Sequence, residues 1–410
     1  MDASRGRTAD LDLVVVGGCG HVGLPLALCF ASVGCRVGIY DTDRAKVDQV
    51  RAGEMPFMER GADRLLKSAL EADRLEVSAE PEILERTDTV VLVIGTPIDE
   101  FMNPETRIFE RAVDELAPRL RKGALIVLRS TVYPGTTEFV ESRLRDRGVE
   151  ADVVFCPERV AEGHALEEIR SLPQIIGASN DSAFERASSL FEKLDVEILR
   201  TTPKEAELAK VLTNTWRYMK FAIANQFFQI AHRADVDYGQ VLNAIKYHYP
   251  RATDLPAPGF AAGPCLLKDT MQLAAFTPDH FPMGHAAMLI NEGLPGYVID
   301  TLNARKPLKG RTVGILGMAF KPNSDDPRSS LSYKLRKVLL LECRQVLCAD
   351  PHVPDPDFTP LAEVLERADL LIVATPHDEY RNLVCRQPVI DITNTIKAVR
   401  GNPTKSEPEA

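Results

Sequence analysis

Short runs of apolar, often β-branched residues recur along the first 160 residues. Each run is followed by a glycine or polar turn and then by a stretch compatible with a helix, which is typical of strands in an α/β protein. The pattern predicts strands at 13–16, 36–40, 89–94, 124–128 and 152–156. Because strands that alternate with helices form βαβ units, we expect an open, mostly parallel sheet.

The same pattern returns near Arg305, with predicted strands at 312–316, 345–348, 370–374 and 388–390. Between the two sets, 204–234 contains neither proline nor glycine and repeats apolar residues at helical spacing, which predicts one long helix. The predicted fold is therefore α/β, with two Rossmann-like, doubly wound domains joined by a long central helix. The predicted division is 1–200, a helical domain at 201–303, a second α/β domain at 304–400, and a polar tail at 401–410 that we expect to be disordered.

The predicted long helix carries more apolar surface than a connector through solvent needs. Its large apolar residues lie on more than one face, and they are Trp216, Tyr218, Phe221, Ile223, Phe227, Phe228 and Ile230. One face can pack within the chain, whereas the remainder needs a second chain. We therefore expect a homodimer, since twofold pairing is the commonest assembly of a self-complementary face.

Composition narrows the class of protein. The 410 residues are 45% hydrophobic and 26% charged, which is ordinary for a water-soluble protein of two or three domains. No apolar run approaches the roughly 20 residues of a membrane-spanning helix, and a net charge of −10 opposes bulk attraction to nucleic acid or to an anionic membrane. The eight cysteines are scattered without a CxxC pair, which favours reduced thiols in the cytoplasm and predicts no metal site.

The first predicted strand leads into a glycine-rich turn. Gly18, Gly20 and Gly23, with His21 and Val22 between them, fit the G-x-G-x-x-G spacing and precede a predicted helix. These glycines allow a tight turn, a close approach of the backbone to a pyrophosphate, and close packing of the helix on the strand. The turn therefore predicts a dinucleotide-binding site.

The second predicted strand ends in Asp41, about 20 residues after the glycines, where a carboxylate accepts hydrogen bonds from an adenosine ribose. The same charge repels a 2′-phosphate and favours NAD over NADP. Arg44 is the one nearby feature that points towards NADP, and a solvated helix residue is its simpler interpretation.

Polar residues follow the other predicted strands. Thr96 and Thr131 come just after two strands, where residues face the ligand crevice of a parallel sheet, although a turn or helix-cap role would explain them equally well. Glu158 and Glu162 are four residues apart. If their segment is helical, they lie on the same face. The pair then suits either general acid–base catalysis or simple exposure to solvent.

The long helix and the segment after it hold further candidates. Lys210 and Asn214 are four residues apart on the predicted helix, where a snorkelling lysine and a surface asparagine are the simpler explanation. Cys265 stands between a small-residue turn that includes Gly259 and the pair Lys268-Asp269. A thiolate nucleophile needs nearby positive charge and an open approach, whereas most cysteines are small buried hydrophobes.

The second α/β domain lacks the full glycine fingerprint, which favours a nucleotide-sugar or structural domain over a second NAD site. Its first strand is followed by a polar loop at 320–330 that contains two cations at the predicted crevice, Lys321 and Arg328.

Seven motifs in this order resemble the UDP-glucose/GDP-mannose dehydrogenase family over nearly the whole chain. They are Gly-Cys-Gly-His-Val-Gly at 18–23, Gly-Thr-Pro at 95–97, Ser-Thr-Val-Tyr-Pro-Gly-Thr-Thr at 130–137, Cys-Pro-Glu with Glu-Gly at 156–163, Ala-Glu-Leu-Ala-Lys with Asn at 206–214, Cys-Leu-Leu-Lys-Asp at 265–269, and Phe-Lys with Asp-Asp and Arg-Ser at 320–329. Ala261-Ala262 stand where the family usually has a glycine pair, which leaves the identity of the sugar open.

The resemblance implies oxidation of the C6 primary alcohol of a UDP-sugar, either UDP-glucose or a UDP-N-acetylhexosamine, to the uronic acid with two NAD per turnover. The catalytic residues that it implies are Thr131, Glu162, Lys210, Asn214, Cys265 and Asp269. In this scheme Cys265 forms a thiohemiacetal and then a thioester, Lys210 and Asn214 stabilise the oxyanion, and Asp269 partners Lys210 and orients the hydrolytic water.

The resemblance also implies two sets of binding residues. Those for NAD are Gly18, Gly20, His21, Val22, Gly23, Asp41, Thr96, Thr131, Lys268 and Arg328. Those for the substrate are Glu158, Glu162, Lys210, Asn214, Arg251, Gly259, Lys321 and Arg328, with Arg251 reaching an adjacent subunit.

Other classes of function compete with this assignment. A two-electron hydroxy-acid dehydrogenase shares the NAD domain and the long helix but has no use for Cys265. A non-catalytic nucleotide-sugar-binding protein would not need Cys265, Lys210, Asn214 and Asp269 together. A cysteine hydrolase requires a histidine base, and no motif ties a histidine to Cys265.

Overall fold

A computed structural model describes residues 9–96, 106–260, 263–277 and 280–396. The chain separates into two compact units, 1–213 and 214–410. Three sequence features lie outside the described residues, namely Pro97, the pair Ala261-Ala262, and the tail at 401–410 that is predicted to be disordered. The predicted domain boundaries after residues 200, 303 and 400 stay predictions.

The first unit is built from alternating strands and helices. Its strands are β1 (Leu13–Val16), β2 (Val37–Tyr40), β3 (Leu75–Ser78), β4 (Thr89–Leu92), β5 (Ala124–Leu128), β6 (Ala151–Phe155), β7 (Gln174–Ala178) and β8 (Ile198–Thr201). Its helices are α1 (Gly23–Ser32), α2 (Arg44–Arg51), α3 (Ala62–Glu71), α4 (Thr106–Leu116), α5 (Thr136–Asp146), α6 (Ala165–Ser171) and α7 (Asp181–Phe191).

These strands form one sheet of the order β3-β2-β1-β4-β5-β6-β7-β8. The pairs are parallel except β6 with β7, which are antiparallel. Successive strand residues point to opposite faces, so Leu13 and Val15 enter one buried cluster while Val14 and Val16 enter the other. Both faces of β1 are therefore covered, which explains its uninterrupted apolar sequence.

The long helix α8 (Pro203–Arg233) runs through the boundary between the units. The helices that follow are α9 (Tyr238–Lys246), α10 (Leu266–Phe276), α11 (Pro282–Arg305), α12 (Leu331–Glu342) and α13 (Leu361–Arg367). The strands of the second unit are β9 (Thr312–Leu316), β10 (Gln345–Ala349), β11 (Leu370–Val373) and β12 (Val389–Ile390), in the parallel order β10-β9-β11-β12.

The predicted fold class is confirmed: two Rossmann-like α/β sheets and a long central helix are present. The long helix begins and ends one residue before its predicted limits, and the predicted strands are found with ends shifted by no more than two residues. The pattern did not predict β3, β7 and β8. Among the described helices, none combines the length and the apolar character that a bilayer crossing requires.

Candidate functional site

The glycine turn between β1 and α1 has the shape of a cradle for a phosphate. Gly17 has a φ of +72°, and a Cβ on it would lie 2.1 Å from the carbonyl oxygen of Val93. A Cβ on Gly23 would lie 2.7 Å from both the Gly17 oxygen and the Gly18 Cα, whereas a Cβ on Gly20 would meet only the Gly17 oxygen, at 3.7 Å. The turn is thus tight on its inner side and open at Gly20, which fits a pyrophosphate at the start of α1.

Asp41 follows β2 and is held against this turn. Its Oδ2 accepts a hydrogen bond from the Cys19 amide at 2.9 Å, and its Oδ1 accepts one from the Asp43 amide at 3.0 Å. A carboxylate has about four acceptor positions, so both oxygens keep capacity for ribose hydroxyls. Arg44 is engaged with Glu80 at 2.8 Å on the exposed surface, which supports its interpretation as a solvated helix residue rather than a ligand of a 2′-phosphate.

We expect Asp41→Ser to raise the KM for NAD by about 10-fold or more, since a hydrogen bond to a charged group contributes about 1.5–3 kcal/mol. The loss of negative charge should also reduce the preference for NAD over NADP. Steady-state kinetics with both dinucleotides measure the two effects. Asp43→Ser is the matched control, because Asp43 caps α2 through the Lys46 amide. Equal losses in the two variants, or a wild-type preference for NADP, would contradict this role of Asp41.

The loops that follow β4 and β5 lie side by side. Thr96 donates a hydrogen bond from its hydroxyl to the Thr131 carbonyl at 2.6 Å, and the Ile94 amide donates one to the Ser130 hydroxyl at 2.7 Å. The two threonines predicted to bind NAD are therefore neighbours, although their roles towards a ligand stay predictions.

Glu207 anchors the chain just beyond Thr131, and in the sequence it stands only as one residue of the motif at 206–214, without a role of its own. It is fully buried, and its carboxylate accepts hydrogen bonds from the amides of Gly135 and Thr137 and from the Thr137 hydroxyl, at 2.6–2.8 Å. Burial raises the pKa of Glu207, although these hydrogen bonds oppose the shift. Glu207 thereby holds the first turn of α5 against α8, one helical turn before Lys210.

Glu158 and Glu162 do not share a helical face, because 156–163 contains no helix. Glu162 is half-buried in a turn, and Glu158 is only 7% exposed, so solvation does not account for Glu158. The Oε2 of Glu158 is paired with Arg129, while its Oε1 accepts the amides of Arg159 and Val160 at 2.7 and 3.1 Å. These contacts give Glu158 a structural role, and its predicted binding of substrate remains untested.

In the second unit, Cys265 differs from every other cysteine of the chain. It is exposed and occupies the N-cap position of α10, where the positive end of a helix dipole favours a thiolate. Burial raises the pKa of all the others, namely Cys19, Cys29, Cys35, Cys156, Cys343, Cys348 and Cys385. For Cys19 and Cys156 the raised pKa is about 12. Cys265 is therefore the thiol best placed to act as a nucleophile.

One turn after Cys265, the structure brings together three of the predicted residues. Asp269 is fully buried and accepts a hydrogen bond from Asn214 Nδ2 to its Oδ2 at 2.5 Å. The Lys268 ammonium lies 2.8 Å from Oδ1 of Asp269, so the two side chains form an ion pair. The angles of this contact are not those of a hydrogen bond. Lys210 is itself 9% exposed, one turn before Asn214 on α8. Its predicted pairing with Asp269 stays a prediction.

The second unit also contains a cavity of about 700 Å³, within the usual size of a small-molecule site. Two predicted substrate residues, Gly259 and Lys321, line it. Arg217 and Arg381 add positive charge to its wall, and Phe221, Phe260 and Phe320 add apolar surface. Cations and aromatic rings together suit a ligand that carries phosphates and a ring.

The two other predicted arginines lie elsewhere in this unit. Arg328 pairs with Asp326 at 2.6 Å and lines a different cavity of about 530 Å³, together with Lys334 and Lys337. Arg251 is exposed, with its guanidinium 5.7 Å from the ring centre of Tyr249. The structure thus separates Arg328 from the cavity that contains Lys321.

Asp350 occupies, after β10, the place that Asp41 has after β2. Its Oδ2 accepts from the Met318 and Ala319 amides and from His377 Nε2, and its Oδ1 accepts from two further amides, those of His352 and Val353. Although burial opposes the charge, the hydrogen bonds from His377 and the amides hold the pKa of Asp350 well below its usual range. No acceptor position is left for a ribose, which supports the interpretation that this domain is not a second NAD site.

His352, His377 and Glu379 bring potential metal-ligand atoms within 4.8 Å of one another. However, Nδ1 of His377 accepts the Asn323 amide at 3.0 Å while Nε2 lies 3.0 Å from Asp350. Both ring nitrogens are therefore engaged, so this group does not fit a metal ion.

Comparisons with known proteins cover the whole architecture. Three domain models of the UDP-glucose/GDP-mannose dehydrogenase family match, the NAD binding domain at 12–195, the central domain at 204–293 and the UDP binding domain at 314–398. The UDP-N-acetyl-D-mannosamine dehydrogenase of Pyrococcus horikoshii is 30% identical over 382 residues, which cover 90% of each chain. The chain belongs to the UDP-glucose/GDP-mannose dehydrogenase family.

Solved structures of similar proteins agree with this membership. A UDP-D-ManNAc dehydrogenase from P. horikoshii superimposes with a TM-score of 0.89 at 29% identity, covering 96% of this chain and 98% of that one. A UDP-glucose dehydrogenase from Pyrobaculum islandicum gives 0.87 at 29% identity and 98% coverage of both chains. The family resemblance, the NAD cofactor and the assignment as an NAD-dependent nucleotide-sugar dehydrogenase are thereby confirmed.

Proposed function

We propose that this family member oxidises the C6 primary alcohol of a UDP-N-acetylhexosamine to the carboxylate through a thiohemiacetal and a thioester on Cys265. The observation that carries the proposal is an exposed cysteine at the start of α10, one turn before Lys268 and the buried pair of Asn214 and Asp269. The identity of the sugar is supported by the UDP-N-acetyl-D-mannosamine dehydrogenase similar to this chain.

The chemistry balances with one alcohol, one water and two NAD⁺ consumed, and one carboxylate, two NADH and three protons released. When bound, NAD accepts the hydride that leaves C6, once at the alcohol and once at the thiohemiacetal. Between these events the Cys265 thiolate adds to the aldehyde carbon and forms the C–S bond. Water then attacks the thioester carbon, the C–S bond breaks, and the thiolate is restored.

Asn214 is suited to stabilise the oxyanion that develops at C6 in these additions. Its amide nitrogen carries two hydrogens. Asp269 accepts one of them at 2.5 Å, which leaves the second for the oxyanion and fixes the orientation of the amide. One such donor contributes about 3 kcal/mol to catalysis in comparable sites. Lys210, one turn earlier on α8, is the second predicted donor, and Thr131 and Glu162 are predicted to assist proton transfer from the alcohol.

A panel of nucleotide sugars tests the proposed function. NADH and carboxylate are measured with UDP-N-acetylmannosamine, UDP-N-acetylglucosamine, UDP-glucose and GDP-mannose. We expect two NADH per carboxylate and the highest kcat/KM with a UDP-N-acetylhexosamine. A preference for UDP-glucose would keep the reaction and change the sugar. One NADH per substrate would favour a two-electron dehydrogenase, and no turnover with any of the four would contradict the proposed activity.

We further propose that the enzyme is a cytoplasmic homodimer that pairs through α8. Tyr218 of this helix is buried, whereas Leu212, Trp216, Ile223, Phe227 and Ile230 are 38–55% exposed and recur at helical spacing. An exposed apolar stripe of this kind is typical of an interface, and twofold pairing is the simplest way for two copies to cover it.

Light scattering tests this assembly. We expect the wild type to have the mass of a dimer and Phe227→Glu to shift it towards the monomer, because a carboxylate within the stripe must be desolvated on pairing. Leu341→Glu is the control, since Leu341 is 87% exposed but lies on α12. A fully active wild-type monomer would remove the basis for the α8 interface.

A further inference from the structure

We infer that Asn225 is a positioning residue that fixes Gly259, shortly before Cys265 in the chain, so that the aldehyde is captured before it escapes. This inference rests on the proposed function. Asn225 belongs to α8, is fully buried and has no part in the catalytic roles given above. Burying a side-chain amide costs free energy unless its hydrogen bonds are satisfied. The amide of Asn225 forms its hydrogen bonds with the backbone of Gly259 and with the side chain of Asn291.

Asn225 holds both backbone groups of Gly259. Its Nδ2 donates to the Gly259 carbonyl at 3.0 Å, and its Oδ1 accepts from the Gly259 amide at 2.8 Å. Two hydrogen bonds to one residue fix its orientation as well as its distance, as in a pair of β-strands. Gly259 also lines the cavity of the second unit. The two hydrogen bonds from Asn225 therefore set the position of part of the cavity wall.

A second asparagine keeps Asn225 in this orientation. Nδ2 of Asn225 also donates to Oδ1 of Asn291 at 2.9 Å, and Asn291 in turn donates from its Nδ2 to the Tyr218 carbonyl at 3.1 Å. Asn291 is fully buried on α11. A rotation of the Asn225 amide by 180° would set donor against donor at Gly259 and oxygen against oxygen at Asn291, so the network permits one orientation.

Gly263, which is closer to Cys265 in the chain, is held by contacts of its own. Its amide donates to the Ser329 carbonyl at 3.3 Å. It has a φ of +104°, and a Cβ there would lie 2.5 Å from the Phe320 ring. Cys265 follows two residues later as the N-cap of α10. Gly259 is therefore fixed by Asn225, and Gly263, two residues before the thiol, is fixed by the loop that contains Phe320.

Such fixing matters most for the step in which the thiolate adds to the aldehyde. Reacting atoms must approach to about 3–3.5 Å with the right alignment, and small displacements have large effects on rate. The first oxidation does not use the thiol. Loss of the hydrogen bonds that fix Gly259 should therefore slow capture more than the first oxidation, and free aldehyde should leave the enzyme.

The test measures NADH per carboxylate, together with free aldehyde trapped by hydroxylamine, in Asn225→Ala and in the isosteric Asn225→Asp. The aspartate keeps the acceptor for the Gly259 amide but lacks the donor for its carbonyl. We expect a ratio of two in the wild type and of about 3 or more in both variants, which corresponds to escape of at least half of the aldehyde if the displaced thiol misses its near-attack geometry. The ratio does not depend on the folded fraction, so a variant that is merely less stable leaves it at two.

Two further variants complete the design. Asn303→Ala is the control. Asn303 lies on α11, as Asn291 does, but its side chain bonds to Glu342 and to the Leu308 amide. The ratio of NADH to carboxylate in this variant should stay at two. Cys265→Ser should release aldehyde with one NADH and no carboxylate. If it does and both Asn225 variants keep a ratio of two, the positioning role of Asn225 is overturned while the proposed function stands. If Cys265→Ser still forms carboxylate at the wild-type rate, the proposed function itself fails.

Discussion

Cys265→Ser is expected to lower the rate of carboxylate formation by at least about 1,000-fold, equivalent to about 4 kcal/mol of activation free energy. A serine hydroxyl is far harder to ionise than a thiol, and an ester is a poorer acyl donor than a thioester, so both formation and breakdown of the covalent intermediate slow down. The first oxidation should survive, with one NADH released per aldehyde. Rapid-quench sampling of alcohol, aldehyde and carboxylate measures the effect.

Cys343→Ser is the matched control for this prediction. Cys343 is half-buried, and its side chain bonds to the Leu339 carbonyl at 2.9 Å, a contact that a serine hydroxyl can keep. We expect wild-type turnover in this variant. Full carboxylate formation by Cys265→Ser would remove the covalent step from the mechanism.

Alkylation by iodoacetamide at pH 7 supplies an independent measurement of the same residue. The thiols other than Cys265 have raised pKa values through burial, so they should react slowly because the thiolate is the reactive form. One label on Cys265 should abolish activity, and a UDP-sugar substrate should slow the labelling.

Glu158→Gln is expected to lower the free energy of unfolding by about 3–5 kcal/mol, because it leaves a buried charge without its partner. Arg129 is 2% exposed, pairs with Glu158, donates to Gln174 at 2.8 Å and lies 5.3 Å from the centre of the Phe191 ring. A glutamine keeps the shape of the side chain but carries no negative charge to balance the positive charge of the Arg129 guanidinium. Urea unfolding followed by circular dichroism measures the loss.

Glu150→Gln is the control, since its pair with Lys122 at 3.1 Å is exposed on both sides, and such pairs contribute less than about 1 kcal/mol. A Glu158→Gln variant of wild-type stability and raised KM for the nucleotide sugar would instead support the predicted role of Glu158 in substrate binding.

The local pattern of the sequence determined the fold class. The apolar runs at 13–16 and 124–128 and the glycine spacing at 18–23 depend on residues close together in the chain, and the structure has the strands and the turn where the pattern places them. The long helix was equally predictable, since the absence of proline and glycine over 204–234 leaves little alternative. Cys265 stood out only through its neighbours and the motif series, because a lone cysteine carries little information.

Tertiary packing alone decided which polar residues carry structure and which are offered to a ligand. Glu158 and Glu162 look alike in sequence, yet Glu158 is paired with Arg129, 29 residues away. Asn225 is one of several polar residues of the long helix, and its side chain bonds to Gly259 and Asn291, separated from it by 34 and 66 residues. Contacts of this range depend on how buried faces meet, whereas periodicity reports only which residues face inwards. Burial therefore determines that a polar group must be paired, and only the packed structure determines with which partner.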